Sequence, residues 1–368
     1  MRRFHFAWLG LVLLVVQPLL AKTYYVGSCK TGAFSTIGAA VAAVPAGSTI
    51  DVCPGTYPEQ VVIAQPLTLQ AIASGGSSQA VIAMPASGLT TTSSVRFGTV
   101  AAQVEVTAGP VNITGISVDG TASSSNCPAV QDVGIFYASG SSGTLNEVET
   151  RYQSCNSAGI GIFAENGSEV TTSVTIENSN ANLSSWADIY VCSPQPSTLN
   201  ATIKNNYIIV NNGYGIATDC NTTATISGNV VYANYAISGI ELIAPSSTVT
   251  GNAVTGGDSG IRLDVAGVRV SGNTVIGASF GITVNAAGSV ISNHIGNSDF
   301  GISLAGSGAT VQTNVITQGQ IGIEFQCVTA TVSGNTINGP ATGFDQFPGT
   351  STGTNKFYNV ATLTTGCS

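Results

Sequence analysis

The chain has 368 residues, of which 43% are apolar, 44 are glycine and only 8% are charged. An ordinary globular domain has about 25% charged residues, and exposed helices need them, so the composition argues against a helical protein. Regularly spaced apolar residues argue against disorder, and no segment beyond the first 21 residues is long and apolar enough to span a bilayer.

Residues 1–21 predict a secretory signal peptide. Arg2 and Arg3 precede the apolar run WLGLVLLVV, and the small residue Ala21 precedes the polar Lys22. Removal of the two arginines leaves 8 basic against 18 acidic residues, a net charge near −10, which argues against nucleic acid as a partner. We therefore expect a secreted, periplasmic or extracellular protein with no membrane span after cleavage; a retained membrane anchor is the alternative.

A short amphipathic helix is predicted over about residues 35–44. Ser35 is a suitable N-cap, Ile37, Val41 and Val44 recur at helical spacing, and Pro45 ends the run. We expect this helix to cap the N-terminal end of the fold. Between about residues 73 and 152 the apolar pattern is irregular, which indicates coils with longer turns rather than a second domain.

From about residue 200 to 345 the pattern is regular. An asparagine returns about every 21 residues, and a Gly-Ile pair keeps nearly the same spacing. A fixed period in this range indicates one supersecondary unit repeated as a stack, each copy burying its apolar face against the next. The asparagines are Asn206, Asn229, Asn252, Asn273, Asn293, Asn314 and Asn335, and the paired glycines are Gly215, Gly239, Gly260, Gly281, Gly301 and Gly322, with Gly343 before Phe344 in the next place.

One copy of the repeat shows that the unit is built from short strands. In residues 248–267, Val249, Val254, Ile261 and Leu263 alternate with small polar residues, and no ten residues keep a helical period. Three strands and three turns in about 21 residues make a triangular coil, and stacked coils pair in parallel at about 4.8 Å. The asparagines would then stack inside one turn with their amides hydrogen-bonded along the stack.

Eight cysteines in an exported chain predict four disulfides. Sequential cysteines lie about one coil apart, which would place each pair on neighbouring coils within reach of a disulfide, and the last pair would fix the C-terminal tail. A metal-thiolate site is the alternative, but the chain has no CxxC, and His294 is the one histidine after the signal segment. The predicted pairs are Cys29 with Cys53, Cys127 with Cys155, Cys192 with Cys220, and Cys327 with Cys367.

The stretch from Phe34 to Ala71 resembles the opening of right-handed parallel β-helix proteins of the pectin-lyase-like superfamily. It has a capping helix, a strand and a G-x-Y-x-E motif at Gly55, Tyr57 and Glu59, and the later coils are similar to that group's short repeats. The resemblance covers about residues 24–358. It implies an all-β fold, a single-stranded right-handed parallel β-helix over residues 22–368 with an N-terminal capping α-helix and a C-terminal cap at about 345–368.

The resemblance does not select one function, because the superfamily includes pectate lyases, polygalacturonases, pectin methylesterases, alginate epimerases and periplasmic nitrous-oxide-reductase maturation proteins. The string DVGIF from Asp132 departs from the aspartate segment of the methylesterases. The histidine motifs of the polygalacturonases and epimerases are missing, and a copper role fits poorly with His294 and Met84 alone. A calcium-dependent lyase is the least excluded enzyme, so whether the chain is an enzyme stays open.

In that superfamily the substrate groove runs along the exterior of one sheet, which here corresponds to the Gly-Ile strands. Ile261 and Leu263 face inward, so Arg262 and Asp264 face outward. The same register predicts an outer column of Tyr190, Ala217, Glu241, Arg262, Thr283, Ser303 and Glu324, and a second column of Asp219, Asp264, Asn285 and Gln326.

These charges are informative because charge is scarce in this chain. Arg262 is the candidate catalytic residue, either contacting an acidic substrate or removing a proton. Asp219, Asp264 and Glu241 are candidate ligands for Ca²⁺, the one candidate cofactor. A solvated salt bridge is the alternative. The candidate substrate-binding residues are Tyr190, Phe136, Phe163, Glu241, Asn285 and Glu324, although the aromatic ones could instead lie under the longer turns.

Together these patterns predict an exported β-helix protein that binds polysaccharide or another glycan along the outer face of one parallel sheet. If it is catalytic, the expected reaction is Ca²⁺-assisted β-elimination. The alternative is a non-catalytic extracellular or cell-surface solenoid with a structural or adhesive role. We expect a monomer.

Overall fold

The computed structural model describes residues 22–72, 79–121, 127–155, 158–194, 197–348 and 353–367. The predicted signal peptide lies outside these residues. The described chain is a parallel β-helix with one short α-helix, as the sequence predicts. None of its helices is long and apolar enough to cross a membrane.

The described residues contain one helix, α1 (Ile37–Ala43), which follows β1 in the sequence, and forty strands. The strands before the regular region are β1 (Thr23–Val26), β2 (Ser48–Val52), β3 (Gly55–Pro58), β4 (Val61–Ile63), β5 (Leu67–Ala71), β6 (Ala80–Ala83), β7 (Thr92–Ser94), β8 (Gly98–Val106), β9 (Val111–Thr114), β10 (Ile116–Asp119), β11 (Gln131–Tyr137), β12 (Gly143–Asn146), β13 (Glu149–Arg151), β14 (Ile160–Glu165), β15 (Thr172–Glu177), β16 (Asn180–Asn182) and β17 (Ala187–Ser193). The next strands are β18 (Leu199–Lys204), β19 (Tyr207–Val210), β20 (Tyr214–Cys220), β21 (Thr222–Ser227), β22 (Val230–Ala233), β23 (Ser238–Leu242), β24 (Thr248–Thr250), β25 (Ala253–Gly256), β26 (Ser259–Leu263), β27 (Arg269–Ser271), β28 (Thr274–Ile276), β29 (Phe280–Val284) and β30 (Ser289–Ile291). The last are β31 (His294–Gly296), β32 (Phe300–Leu304), β33 (Ala309–Gln312), β34 (Val315–Thr317), β35 (Ile321–Glu324), β36 (Ala330–Ser333), β37 (Thr336–Asn338), β38 (Thr342–Phe347), β39 (Lys356–Tyr358) and β40 (Thr362–Gly366).

The strands form three parallel sheets that run the length of the stack. Sheet A has 13 strands from β1 to β36 and sheet B has 13 from β3 to β39. Sheet C has 14 strands, which are β7 and the series from β4 to β40, and most neighbours are three strands apart in sequence. Strand β7 pairs antiparallel with β8 outside this scheme. The chain therefore visits the three sheets in turn and winds as a right-handed coil, the hand that parallel crossovers take.

Inward-facing aliphatic side chains of all three sheets make one continuous core. In the repeat used above, Val249, Val254, Ile261 and Leu263 are fully or almost fully buried, which confirms the phase read from alternation. Parallel sheets covered on their inner face need such apolar positions in every coil.

The asparagine ladder is present as predicted. The main-chain N–H and the side-chain Nδ2 of each asparagine donate to Oδ1 of the next, at 2.9 to 3.0 Å along the series. Asn355 continues the ladder beyond Asn335. Each amide thereby satisfies polar groups that would otherwise be buried without partners in a turn.

The helix is shorter than predicted, and its N-cap is Thr36 rather than Ser35. Thr36 has extended backbone angles, and its Oγ1 accepts from the Ala39 N–H. The Glu59 carboxylate also accepts from the N–H groups of Ile37 and Gly38, both at 2.8 Å. The glutamate of the G-x-Y-x-E motif therefore anchors the first turn of the helix, and the motif has a structural role here. That the helix closes the end of the core stays a prediction.

The C-terminal residues continue the stack. Strand β39 extends sheet B and β40 extends sheet C, in the segment that the sequence assigns to a cap. Phe344 packs against Phe325, Phe347 and Phe357. The four cysteine pairs are those predicted from spacing, with Cα–Cα distances of 5.1 to 5.7 Å.

Candidate functional site

The candidate site lies on the outer face of sheet C. Strand register aligns the seven residues that alternation assigns to the outer column, each with the next, on β17, β20, β23, β26, β29, β32 and β35. Neighbouring strands of a sheet are about 4.8 Å apart, so these side chains form a continuous row. We call this row the outer column: Tyr190, Ala217, Glu241, Arg262, Thr283, Ser303 and Glu324.

Arg262 lies between two carboxylates at the middle of the outer column. Its Nε atom is 3.0 and 2.9 Å from Asp264 Oδ1 and Oδ2, and 3.6 Å from Glu241 Oε1. Asn285 Nδ2 donates to Asp264 Oδ1 at 2.5 Å. In the described chain these contacts of Arg262 use Nε, and its side chain is 35% exposed. At this exposure part of the Arg262 side chain is accessible to a ligand.

Glu241 is nearly buried, with 7% of its side chain exposed. Burial, aided by the charge of Asp264, raises its pKa to about 7 against the opposing effect of Arg262. A carboxylate with this pKa exchanges protons near neutral pH, which is a property of general acids and bases.

Arg262 is a poor proton acceptor in this setting. Its hydrogen bond to Asp264 raises its pKa above the ordinary value, so the guanidinium stays charged. The expectation that Arg262 removes a proton therefore has no support from its environment. A fixed cation that pairs with an anionic ligand is the role that its contacts favour.

Asp219 is held by Arg96 and Tyr190 rather than by the Arg262 group. Arg96 Nη2 is 3.0 Å from Asp219 Oδ2, and the Tyr190 hydroxyl donates to the same oxygen at 2.8 Å. Arg96 Nε also donates to the Tyr190 hydroxyl, at 2.8 Å. Across the residues with described positions, no three His, Cys, Asp or Glu side chains are grouped to hold a metal ion. The predicted Ca²⁺ ligands Asp219, Asp264 and Glu241 are thus not assembled as one site.

The predicted aromatic contacts with sugar are wrong for Phe136 and Phe163. Both side chains point outward from sheet C, yet both are fully buried. They are covered by residues 92–97, which we call the strap, and Phe97 packs edge-on to Phe163 with ring centroids 5.4 Å apart. Tyr190 is also only 2% exposed beneath the strap. The register predicts the direction of these side chains correctly, but the strap covers the aromatic surface that we expected a sugar to contact.

The strap is fixed by a buried carboxylate. Glu165 accepts from the hydroxyl of Ser94 at 2.8 Å and from the N–H groups of Val95 and Arg96 at 2.9 and 3.1 Å. Burial raises the pKa of Glu165, while these three hydrogen bonds lower it. Arg96 was not predicted as a site residue, because its segment has no regular period; its only signal in the sequence is the scarcity of basic residues.

Trp186 and Tyr214 were also missed, and they border the exposed part of the face. Their rings meet edge-on with centroids 5.9 Å apart, and Trp186 packs against Tyr190 at 4.8 Å. Burial raises the pKa of Tyr214, and the negative charge of Glu241 adds to the shift. Tyr214 therefore lies within electrostatic reach of Glu241.

Glu324, at the other end of the outer column, is 8% exposed. Ser303 Oγ donates to its Oε2 at 2.6 Å and Gln326 Nε2 at 3.1 Å. Its carboxylate is thus already paired within the protein, which makes it a weaker candidate for ligand binding than Asn285.

The fold and the position of this face define a parallel β-helix protein. A family model described as periplasmic copper-binding protein (NosD) matches residues 243–342. No curated protein sequence matches the chain. Copper is bound in proteins mainly by Cys, Met and His side chains. In the described residues every cysteine is in a disulfide, His294 lies exposed on sheet B and Met84 is buried, so the side chains do not fit a copper site.

Solved structures with the same fold include an alginate lyase, a mannuronan epimerase and a tailspike protein. An alginate lyase in complex with a trisaccharide is 12% identical with a TM-score of 0.58, over 93% of this chain and 86% of the other. The A-module of a mannuronan C-5 epimerase from Azotobacter vinelandii is 18% identical with a TM-score of 0.55, over 87% and 94%. The Dettilon tailspike protein is 15% identical with a TM-score of 0.51, over 85% of this chain, which spans 62% of the tailspike. At these identities the likeness shows the fold alone.

Proposed function

We propose that this protein is exported and binds an acidic polysaccharide along the exposed part of the sheet C face, from the end of the strap to Glu324. The observation that carries the proposal is Arg262, a charged and partly exposed guanidinium whose Nε is held by Asp264 and Glu241. Such a fixed fork is suited to a carboxylate ligand. The alginate-acting proteins with the same fold support a uronate as the ligand class.

The surroundings of Arg262 suit a sugar chain. Asn285 lies one strand beyond the Arg262 group and offers an amide, and Trp186 and Tyr214 offer ring surface on the strap side. Aromatic rings have large apolar faces with one polar edge, which complements the apolar face of a sugar ring. The four disulfides require an oxidising compartment, which agrees with export. A monomer remains our expectation.

The catalytic form of the proposal is β-elimination, with Glu241 as the base. Arg262 would pair with the uronate carboxylate, and the Glu241 carboxylate would take the proton from the adjacent C5 carbon. The C–H electron pair becomes the C4–C5 double bond as the C4–O bond breaks, and the Tyr214 hydroxyl would protonate the leaving oxygen. The pKa of about 7 at Glu241 supports a base role at neutral pH. Calcium assistance is not part of this form.

Binding is tested by retention of the mature protein on immobilised alginate and polygalacturonate. The matched variants are Arg262→Ala and Arg269→Ala, because Arg269 is an exposed arginine on the outer face of sheet A. We expect Arg262→Ala to lose at least tenfold in affinity and Arg269→Ala to behave like the parent. Equal losses in both variants would indicate non-specific charge attraction, and no retention of the parent on either gel would refute the proposal.

Elimination is tested separately by the ultraviolet absorbance of the unsaturated product. Glu241→Gln should abolish product while retention on the gel persists, because the amide cannot accept the C5 proton. Retention by the parent without any product would select the non-catalytic alternative, a glycan-binding solenoid of the extracellular space.

A further inference from the structure

Strand β17 of sheet C has an aspartate at a position where its neighbouring strands have glycine. In the ten strands of sheet C from β11 to β38, the residue before the inward Ile or Phe is glycine in nine and Asp188 in β17. A Cβ at these glycines would meet the main-chain oxygen of the next coil and, from Gly215 onward, an apolar side chain of sheet B. The glycines are Gly134, Gly161, Gly215, Gly239, Gly260, Gly281, Gly301, Gly322 and Gly343.

The Asp188 side chain is inside the β-helix. Its residue is 0% exposed, and the Ser184 N–H donates to Oδ1 at 3.0 Å. Over the described chain, Oδ2 has no hydrogen-bond partner and none of the ion pairs includes Asp188. Burial raises the pKa of Asp188 well above its ordinary value. A buried carboxylate is unfavourable unless it is neutralised or paired with a positive charge.

A second departure lies beside the first, on the inner face of sheet B. The central inward position is Val or Ile in eight of the ten strands from β10 to β37, but Thr150 in β13 and Ala181 in β16. Thr150 is fully buried, and its hydroxyl has no partner among the described residues.

Near Gly161, two hydroxyl groups occupy the place that an aliphatic side chain takes in the later coils. A Cβ added there would lie 2.6 Å from the Asp188 main-chain oxygen, 2.8 Å from Thr150 Oγ1 and 3.1 Å from Ser184 Oγ. The Ser184 hydroxyl makes no hydrogen bond of ordinary geometry within the part of the chain described, although it lies near enough to the Asp188 carboxylate to oppose the rise in its pKa. In the later coils the corresponding point faces a Val or Ile methyl group, as Val254 does beside Gly239.

The polar interior extends to the preceding coil. Gln153 Nε2 donates to Gln103 Oε1 at 3.3 Å, and Gln153 Oε1 has no partner among the described residues. Asp132, 1% exposed, accepts from the Cys155 N–H at 3.4 Å through Oδ2, and its Oδ1 is unpartnered in the same sense. Among the described residues, the coils around Gly161 therefore contain several unpartnered side-chain oxygen atoms in a core that is otherwise aliphatic.

We propose that Asp188, Thr150 and Ser184 hold a hard cation, Ca²⁺ being the candidate, inside the β-helix beside Gly161. Ca²⁺ accepts about six to eight oxygen ligands of mixed type, including carboxylate and main-chain carbonyl oxygens. The ion supplies the positive charge that Asp188 otherwise lacks. Asp188 lies two residues before Tyr190, so the ion would stiffen the coil at the strap end of the proposed groove. This site is distinct from the Arg262 group and does not depend on polysaccharide binding.

The repeat itself supplies the test variants. Asp188→Gly and Thr150→Val each restore the residue type that most other coils carry, so both suit the local backbone and packing. The refolded mature protein is exposed to Ca²⁺, freed of excess ion, and measured for bound calcium and for Tm with Ca²⁺ or with chelator. We expect one Ca²⁺ per parent chain, a Tm that falls in chelator, none bound by Asp188→Gly, and weaker binding by Thr150→Val.

Two results on bound calcium would overturn the proposal, and a third, on stability alone, would do the same. One is a parent chain that retains no Ca²⁺ and has the same Tm in Ca²⁺ and in chelator. The other is an Asp188→Gly variant that keeps the bound Ca²⁺, which would place the ion elsewhere. If both variants have a higher Tm than the parent, and by the same amount with Ca²⁺ as with chelator, then the polar interior is a packing defect in which Asp188 is protonated. In that case the cation site does not exist.

Discussion

Removal of one ladder asparagine should destabilise the protein more than its single side chain suggests. Asn273 is 1% exposed, and its Oδ1 accepts from the main-chain N–H and from Nδ2 of Asn252, both at 2.9 Å. Its Nδ2 donates to the Val249 carbonyl at 3.0 Å. In Asn273→Ala the Asn252 N–H stays buried without an acceptor, at a cost of about 1–3 kcal/mol, and the lost amide bonds add about 1 kcal/mol. We expect a loss of about 2–4 kcal/mol.

Urea unfolding and amide hydrogen exchange check this value, the latter because coils of a solenoid can open locally. Asn338→Ala is the control: Asn338 is exposed, and its Oδ1 accepts one hydrogen bond from Asn359 at 2.9 Å. The control should change stability by no more than about 0.5 kcal/mol. If Asn273→Ala is no worse than Asn338→Ala, or if exchange does not accelerate in the coils next to Asn273, the ladder does not stabilise the turns as argued.

Three further predictions concern the site and its supports. The pKa of Glu241 is raised to about 7 in the folded state, so the parent protein should lose stability as the pH rises from the ordinary carboxyl pKa through 7. In Glu241→Gln the Tm should vary less with pH over that range. A variant with the same pH profile of Tm as the parent would contradict this prediction. Phe97→Ala should cost about 2–4 kcal/mol and expose Phe163, which dye binding and limited proteolysis of the strap would report. Glu59→Ala removes two 2.8 Å hydrogen bonds at the helix N-terminus and should cost about 2–4 kcal/mol, whereas Glu59→Gln should retain part of that stability.

The periodic part of the fold could be predicted from the sequence because the repeat fixes each residue's place. A nearly constant interval between asparagines sets the length of each coil, and alternation within a strand sets which side chains point outward. Glu241 and Arg262 were therefore assigned to neighbouring strands of one face, and the register agrees. The same regularity made the disulfide pairs predictable, since cysteines one coil apart meet on adjacent coils.

The covered part of the face could not be predicted in the same way. Alternation states that Phe136 and Phe163 leave the core, but what lies over them is decided by contacts from a segment without a period. The anchor of that segment, Glu165, is separated from Ser94 by 71 residues in the sequence. Only such long-range contacts decide whether outward-facing aromatic side chains are exposed to a ligand or buried under another segment. Local sequence patterns carry no information about these contacts.

The strap also sets the extent of any ligand on sheet C. It buries the face as far as Tyr190, and Arg96 stands at its edge, ion-paired to Asp219. From that edge to Glu324 the outer column crosses six coil intervals, roughly 29 Å at 4.8 Å per interval. A polysaccharide that follows the column meets Arg96 at one end, so a chain terminus there is accommodated more easily than a continuing chain. If the protein binds a uronate chain as proposed, the strap would favour recognition of chain ends, and short uronate oligosaccharides should compete fully with the polymer for the Arg262 site.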